Sequence, residues 1–282
     1  MIYTWENVDR KDLRYRLFSP VRRICLNRAA AVVAGSRDAA RVVQSRGYRR
    51  TVYVTPLLGV SEDLFRPRDH SEQRVGLIPH ARNKFLIGCI SRFAEQKDIA
   101  TLLNAVARLV PHAGVDWRLV LVGGGPEKAR YEELIRRLGI GERVAMHAPV
   151  SHEAVPSLMN CFDVLVLPSK TTGTWKEQFG HVLIEAMACG VPVVGSSSGE
   201  IPNVIGDAGL VFEETNVADL AQKLAALHAD PSLRRALGAR GIERVRRRYT
   251  DARIAENAIA VCERVLGIPP SGTPNTLEEV TP

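Results

Sequence analysis

Two groups of residues in this chain have the types and spacing to act on a charged, hydroxyl-rich ligand. The first is Arg92 and Lys97, five positions apart in Ile90-Ser-Arg-Phe-Ala-Glu-Gln-Lys-Asp98, where an apolar run ends and a helical pattern begins. Two cations at a helix entrance suit a diphosphate. The free backbone N–H groups and the helix dipole favour an anion there, and Arg and Lys add charge-assisted hydrogen bonds. Pairing with Glu95, or solvation of the loop, would equally account for both cations on the local sequence. The second group is Glu177 and Glu185, eight positions apart in Glu177-Gln-Phe-Gly-His-Val-Leu-Ile-Glu185. Glu177 lies in a glycine-containing loop, whereas Glu185 sits among Val182, Leu183, Met187 and Ala188 in an otherwise apolar helical pattern. A carboxylate in that setting is costly unless something pairs with it, and either ligand hydroxyls or a nearby arginine would serve.

The elements that must carry these residues follow from period and punctuation. Continuous apolar runs at 85–90, 117–122, 144–146, 163–168, 191–194 and 209–212 read as strands. They alternate with helical patterns at 99–109, through 137, and at 153–160 and 182–189, and three more close the chain at 217–228, 233–247 and 252–266. Strands buried on both faces and alternating with helices predict an α/β fold, a doubly wound parallel sheet, over residues 70–266. Ligands of such sheets bind at the carboxyl ends of the strands, near a topological switch point. The loop Gly123-Gly124-Gly125-Pro126 ends one of these strands. Residues 1–65 offer only two strand-like runs, 30–34 and 52–55, between basic helical stretches, too little to bury a core unaided. The Pro/Gly/Ser-rich stretch from Gly267 predicts a disordered tail over 267–282.

Composition narrows the class. With 45% hydrophobic and 24% charged residues the chain is neither disordered nor fibrous. It has no eighteen-residue apolar run and no apolar leader, and its five scattered cysteines form no CxxC pair. The expectation is a cytoplasmic protein with reduced thiols, at most peripheral at the inner face of a membrane. The net charge of +7 is concentrated: residues 1–70 hold 14 Lys/Arg against 7 Asp/Glu, and the remainder holds 24 of each sign. The amphipathic stretches 12–18, 21–26 and 37–47 carry most of this excess, which reads as solvated helix faces or as an anionic membrane surface or acidic ligand site. Aromatic interleaving of the kind that stacks bases is thin, so no nucleic acid partner is expected.

The order Arg92-x4-Lys97, Gly123-Gly-Gly-Pro126, Glu177-x7-Glu185 and Glu185-Ala-Met-Ala-Cys-Gly-Val-Pro-Val-Val194 resembles the retaining family 4 glycosyltransferases of GT-B fold. The run from Trp175 to Gly209 is similar to members that build bacterial surface polysaccharides, and the resemblance extends over residues 1 to about 266. It implies transfer of a glycosyl group from a nucleotide-diphosphate sugar to a saccharide or lipid-linked acceptor, without a cofactor or bound metal. It also implies that Arg92 and Lys97 hold the diphosphate and that Glu185 accepts the ribose hydroxyls. Glu177 would engage the sugar, with the backbone of Phe179, Gly180 and His181 nearby. Gly124 and the main chain at 148–150, ending at Val150, would complete the donor site. The chemistry agrees, because the transition state is oxocarbenium-like while the diphosphate gains charge. His147 and His152 are poorly spaced for one metal-binding helix face.

Two departures from the family pattern stand out. Asp98 replaces a glycine common in relatives after the lysine, a place where Asp can cap the next helix. The chain also starts late. Residues 1–65 resemble only the last third of the first, acceptor-side domain and its junction with the second, leaving most of one domain of about 100–150 residues, with its Gly-rich loop and histidine, unmatched. The expectation is therefore nucleotide binding with little turnover unless a separately encoded N-terminal domain joins it. The alternative is a non-catalytic sugar-nucleotide-binding or partner-docking module. A nucleotide-sugar 2-epimerase is disfavoured by the intact Glu177-x7-Glu185 pattern.

Overall fold

Phe85, Ile87 and Cys89 enter one apolar layer while Leu86, between them, enters another, so this strand is buried on both faces. Two-sided burial of this kind requires helices above and below, and they are present in the computed structural model of the chain. It describes residues 1–9, 17–69, 74–77, 83–109, 116–270, 272 and 277–281. The basic stretch at 12–16 lies outside the described residues. In chain order the first elements are β1 (Ile2–Thr4), α1 (Ser19–Arg28), β2 (Val32–Ala34), α2 (Arg37–Ser45), β3 (Val52–Val54) and α3 (Arg74–Leu77). There follow β4 (Phe85–Ile90), α4 (Ile99–Leu109), β5 (Trp117–Val122), α5 (Lys128–Arg137), β6 (Val144–His147), α6 (Val155–Met159) and β7 (Val164–Leu167). The chain ends with α7 (His181–Ala188), β8 (Val193–Ser196), α8 (Ile201–Ile205), β9 (Gly209–Phe212), α9 (Val217–Ala229), α10 (Pro231–Arg248), α11 (Asp251–Leu266) and β10 (Glu278–Val280).

The larger sheet has the order β6-β5-β4-β7-β8-β9, and every pair in it is parallel. The order runs outward in both directions from the β4–β7 pair, so the topological switch point lies there, with Ile87 opposite Val164 and Gly88 opposite Leu165. The chain leaves β4 and β7 in opposite directions, which opens a crevice beyond Ile90 and Leu167. One apolar layer packs α6, α7 and α8 against the sheet through Met159, Leu183, Ile184 and Ile201. The other packs α4, α5 and α9 through Leu102, Val106, Ile135 and Leu224. Side-chain caps start the later helices: Asn216 accepts from the amides of Ala218 and Asp219, and Asp230 from those of Ser232 and Leu233.

The smaller sheet has the order β1-β2-β3-β10. Its first three strands are parallel, and β10 pairs antiparallel with β3, Glu278 opposite Val54 and Val280 opposite Val52. This corrects the expectation of a disordered tail, because Glu278–Val280 is a strand covering an edge of β3. The Pro/Gly-rich stretch hid a short segment whose Leu277 packs with Tyr53 and whose Val280 packs with Val52 and Val54. The core of the smaller sheet is completed from the far end of the chain. Val261 of α11 packs on Ala31, Val33 and Tyr53, and Asn257 donates to the Thr55 hydroxyl at 2.9 Å. The helix assigned from sequence to the larger unit thus turns its buried side to the smaller one. Two crossings join the sheets at one place, where Val60 bridges Thr250 and the Asp251 amide donates to the Val60 carbonyl. Among the described residues no helix is long and apolar enough to cross a membrane.

Ending the chain at Gly272 should remove the cover from β3 and lower unfolding free energy by about 1–3 kcal/mol, the range for losing partly buried apolar side chains. Urea titration with amide exchange at Tyr53 and Val54 checks this, and unchanged protection would mean that β10 contributes no cover.

Candidate functional site

Each charged residue singled out by sequence is placed at a strand or helix end around the switch point. Beyond β4 the chain forms a tight turn at Glu95–Lys97 before α4, and Asp98 between them has φ +41°, in the left-handed region. A glycine takes this conformation without steric cost. Asp98 tolerates it as a cap: its carboxylate accepts from the Thr101 hydroxyl at 2.6 Å. Burial raises the Asp98 carboxyl above its ordinary value, and the Thr101 hydrogen bonds and Lys170 oppose that rise.

The glycine loop braces this turn. A Cβ at Gly123 would lie 1.9 Å from the Ser91 carbonyl, and one at Gly125 would lie 2.3 Å from the Phe93 carbonyl. The Phe93 amide donates to the Gly124 carbonyl at 2.8 Å, and the Glu127 amide to the Phe93 carbonyl at 3.0 Å. Only backbone fits in this contact, so the loop fixes where Arg92 leaves the main chain. Arg92 is exposed, with no ion-pair partner among the described residues.

Lys97 does not pair with Glu95, which lies 3.3 Å from Lys170 instead. Its ammonium donates to Glu177 Oε2 at 2.5 Å and stands 5.0 Å from the centre of the Trp175 ring. The same carboxylate oxygen accepts from the Ser169 hydroxyl at 2.7 Å. Ser169 is fully buried just beyond β7, and its carbonyl accepts from the Ser196 hydroxyl at the end of β8. Asn7, from the segment after β1, donates to the carbonyls of Lys176 and Glu177, so the smaller sheet also grips this loop. Gly199 closes it from behind, where a Cβ would lie 2.0 Å from the Glu177 carbonyl.

Glu185 lies one turn into α7 and is 8% exposed. Among the described residues no arginine is paired with it. His181 Nδ1 lies 3.2 Å from Glu185 Oε1, and His152 Nδ1 lies 3.9 Å from the same oxygen. Burial disfavours the His181 imidazolium, but the Glu185 carboxylate and the Gly59 carbonyl outweigh it and hold the ring above its ordinary value. Gly180 enters α7 at φ +82°, and the Phe179 ring packs edge-on against Tyr249, 5.6 Å away. Gly124 neighbours Pro149, and Val150 is exposed two residues before His152. Lys97 and Glu177 are therefore brought into contact and Glu185 stands with His181, while Arg92, Gly124 and Val150 lie on the neighbouring loops. Ser169 and Asn7 were missed from sequence. The position of Ser169 directly after a buried strand was the one signal available.

Ser169→Ala should leave the buried Glu177 with one donor fewer and destabilise the fold by about 1–3 kcal/mol, with Ser169→Thr closer to wild type. Chemical denaturation measures both. An unchanged midpoint for the alanine variant would remove Ser169 from the support of Glu177.

Comparison with known proteins bears on the whole arrangement. The family described as glycosyl transferases group 1 matches residues 76–244, more than half of the chain. The N-acetyl-alpha-D-glucosaminyl L-malate synthase of Bacillus anthracis is 34% identical over 197 residues, covering 69% of this chain and 49% of the relative. The GDP-mannose-dependent alpha-(1-6)-phosphatidylinositol monomannoside mannosyltransferase of Mycolicibacterium smegmatis is 32% identical over 213 residues, covering 70% of this chain and 54% of the relative. The chain spans about half the length of these relatives. Among solved structures, the sucrose-phosphate synthase of Thermosynechococcus elongatus superposes with a TM-score of 0.75 at 26% identity, over 89% of this chain and 62% of that one.

Proposed function

This chain belongs to the glycosyl transferases group 1, and from that premise we propose that it binds a nucleoside-diphosphate sugar at the β4–β7 crevice for retaining glycosyl transfer. The acceptor is a saccharide or a lipid-linked molecule, in bacterial polysaccharide or glycoconjugate synthesis. One observation carries this reading: Lys97 and Glu177, eighty positions apart in sequence, meet at 2.5 Å at the switch point. A cation suited to a diphosphate and a carboxylate suited to sugar hydroxyls stand side by side, as the two halves of such a donor require. When the donor enters, its diphosphate takes over Lys97 and its hydroxyls donate to Glu177, so one internal ion pair gives way to two ligand contacts. Arg92, on the glycine-braced turn, joins Lys97 in stabilising the charge that grows on the leaving diphosphate. Glu185 accepts the ribose hydroxyls, the backbone at 179–181 lies along the sugar and phosphate, and Gly124 with the segment ending at Val150 borders the base. In this reading residues 70–266 supply the donor side and residues 1–65 part of the acceptor side.

The name of the Mycolicibacterium relative specifies GDP-mannose and a phosphatidylinositol monomannoside, which supports a nucleotide sugar and a lipid-linked acceptor here. So does a cleft of about 540 Å³ between the two sheets, lined by Tyr3, Trp5, Leu57, Phe179 and Ile254, whose apolar wall suits the non-sugar part of an acceptor. Calorimetry with GDP, UDP and their sugar conjugates tests the donor side. Lys97→Ala should weaken binding about tenfold or more. Glu185→Gln should weaken the free nucleotide, while Glu177→Gln should act on the nucleotide sugar only. Equal effects of both glutamate variants on both ligands would overturn the assignment.

The membrane partner is argued from α1. Leu17, Phe18, Val21 and Ile24 are 55–74% exposed on or just before this helix, which also carries Arg22, Arg23 and Arg28, while Leu26 anchors its other side in the core. An exposed apolar stripe flanked by arginines fits an anionic bilayer surface, where each cation contributes about 1 kcal/mol, and this supports a peripheral position on the cytoplasmic leaflet. Co-sedimentation should occur with phosphatidylglycerol-containing vesicles, fall in high salt, and be lost in Val21→Glu/Ile24→Glu. Equal pelleting with neutral phosphatidylcholine would point to general stickiness instead.

A further inference from the structure

The His181 side chain lies between two segments with different tasks. It is the first residue of α7, and its Nε2 lies 2.7 Å from the carbonyl of Gly59, in the segment that joins the two sheets. A carbonyl can only accept, so Nε2 carries a proton. Its Nδ1 lies 3.2 Å from Glu185 Oε1. In the neutral tautomer that remains, the Nδ1 lone pair would face a carboxylate oxygen, which is repulsive; a second proton turns the contact into a charge-assisted hydrogen bond. We propose that His181 acts as an imidazolium bridge, a positioning residue that fixes the Glu185 carboxylate for the nucleotide and ties it to the inter-sheet crossing at Gly59.

The surroundings support a bridge with little freedom. Gly59 is pressed against α11, where a Cβ would lie 2.6 Å from the Asp251 carboxylate. The next residue, Val60, accepts from the Asp251 amide and bridges Thr250, the second crossing. Charged or titratable groups face the ring from three elements: Glu185 on its own helix, Asp251 at the start of α11, and His152, whose Nδ1 stands 3.9 Å from Glu185 Oε1. Both carboxylates favour the protonated ring, and the partly exposed His152 shares the carboxylate oxygen. With Oε1 held by imidazole, Oε2 is left to accept a ribose hydroxyl. Donor binding at Glu185 and the geometry of the crossing are thereby coupled through one proton.

The sign follows from the raised value of His181 in the folded protein. The bridge is complete below the ordinary histidine value of about 6.5 and is lost as pH rises through the higher folded value. The part concerning nucleotide binding rests on the placement of Glu185 proposed above; the bridge itself does not. The test uses the full chain labelled with ¹⁵N and ¹³C at histidine. His181 should titrate above 6.5 with both ring nitrogens protonated at its start, and Glu185→Gln should lower that value. Titration at or below 6.5, or a value indifferent to Glu185→Gln, would overturn the bridge. GDP-mannose and UDP-glucose, whose esterified diphosphates lose no proton in this range, are then titrated into the protein from pH 6 to 9. Affinity for whichever binds should fall severalfold across the His181 transition in wild type. It should be weaker and flat with pH in His181→Gln. A raised His181 value with pH-independent affinity in wild type would overturn the positioning role. Separately, undiminished affinity in Glu185→Gln would remove Glu185 from the nucleotide site while leaving the bridge intact.

Discussion

Two carboxylates stand almost without water at the carboxyl ends of a parallel sheet, and each must be matched by a donor close at hand. A buried charge left unmatched costs several kcal/mol, comparable to a large part of the net stability of a domain. Glu177 is matched by Lys97 and Ser169, and Glu185 by His181. The residues that meet this requirement come from β4, β7, α7 and the inter-sheet crossing, so satisfying two charges fixes how these elements sit at the crevice. The glycines follow from the same requirement. Gly123, Gly125 and Gly199 let backbone approach backbone closely enough to hold the loops that present the charges.

This arrangement also explains why the site is built from loops rather than from the faces of helices. At a switch point the strands diverge and leave backbone amides and short loops as the walls. Arg92, Lys97 and Glu177 each leave such a loop, and main-chain contacts as well as the buried Phe93 and the Asn7 side chain clamp these loops. Rigid loops on a buried sheet can present unlike charges close together without collapsing into a larger ion-pair cluster. The crevice nonetheless holds one internal pair, Lys97 with Glu177.

The smaller sheet is tied to the larger one by a few specific contacts. Asn7 holds the carbonyls of the Glu177 loop, Lys176 lies 3.2 Å from Asp38, and His181 reaches the Gly59 carbonyl. These contacts concentrate near the two buried carboxylates, so relative motion of the two sheets would be felt first at Glu177 and Glu185. The apolar cleft lined by Trp5 and Phe179 opens beside them.

Much of this was legible in the sequence. Apolar runs such as 85–90 and 117–122, alternating with helical patterns, dictate a two-sided parallel sheet, because only helices on both faces can bury them. Glu185 was identifiable because a carboxylate inside an apolar helix is costly enough to need a reason, with Glu177 eight positions before it, and Arg92 and Lys97 because two cations at a helix entrance suit an anion. What tertiary structure alone decided is the partner of each charge. Lys97 chose Glu177 over the nearer Glu95 because the strand order sets β4 beside β7, which no local pattern encodes. Asn7 and the His181 side chain carry no signal of their own, and Ser169 only its place after a buried strand, since a serine, an asparagine or a histidine is ordinary until the fold places it against a buried carboxylate or carbonyl. The tail misled for the same reason: three residues with weak strand character become a strand only when an open edge, that of β3, is there to receive them.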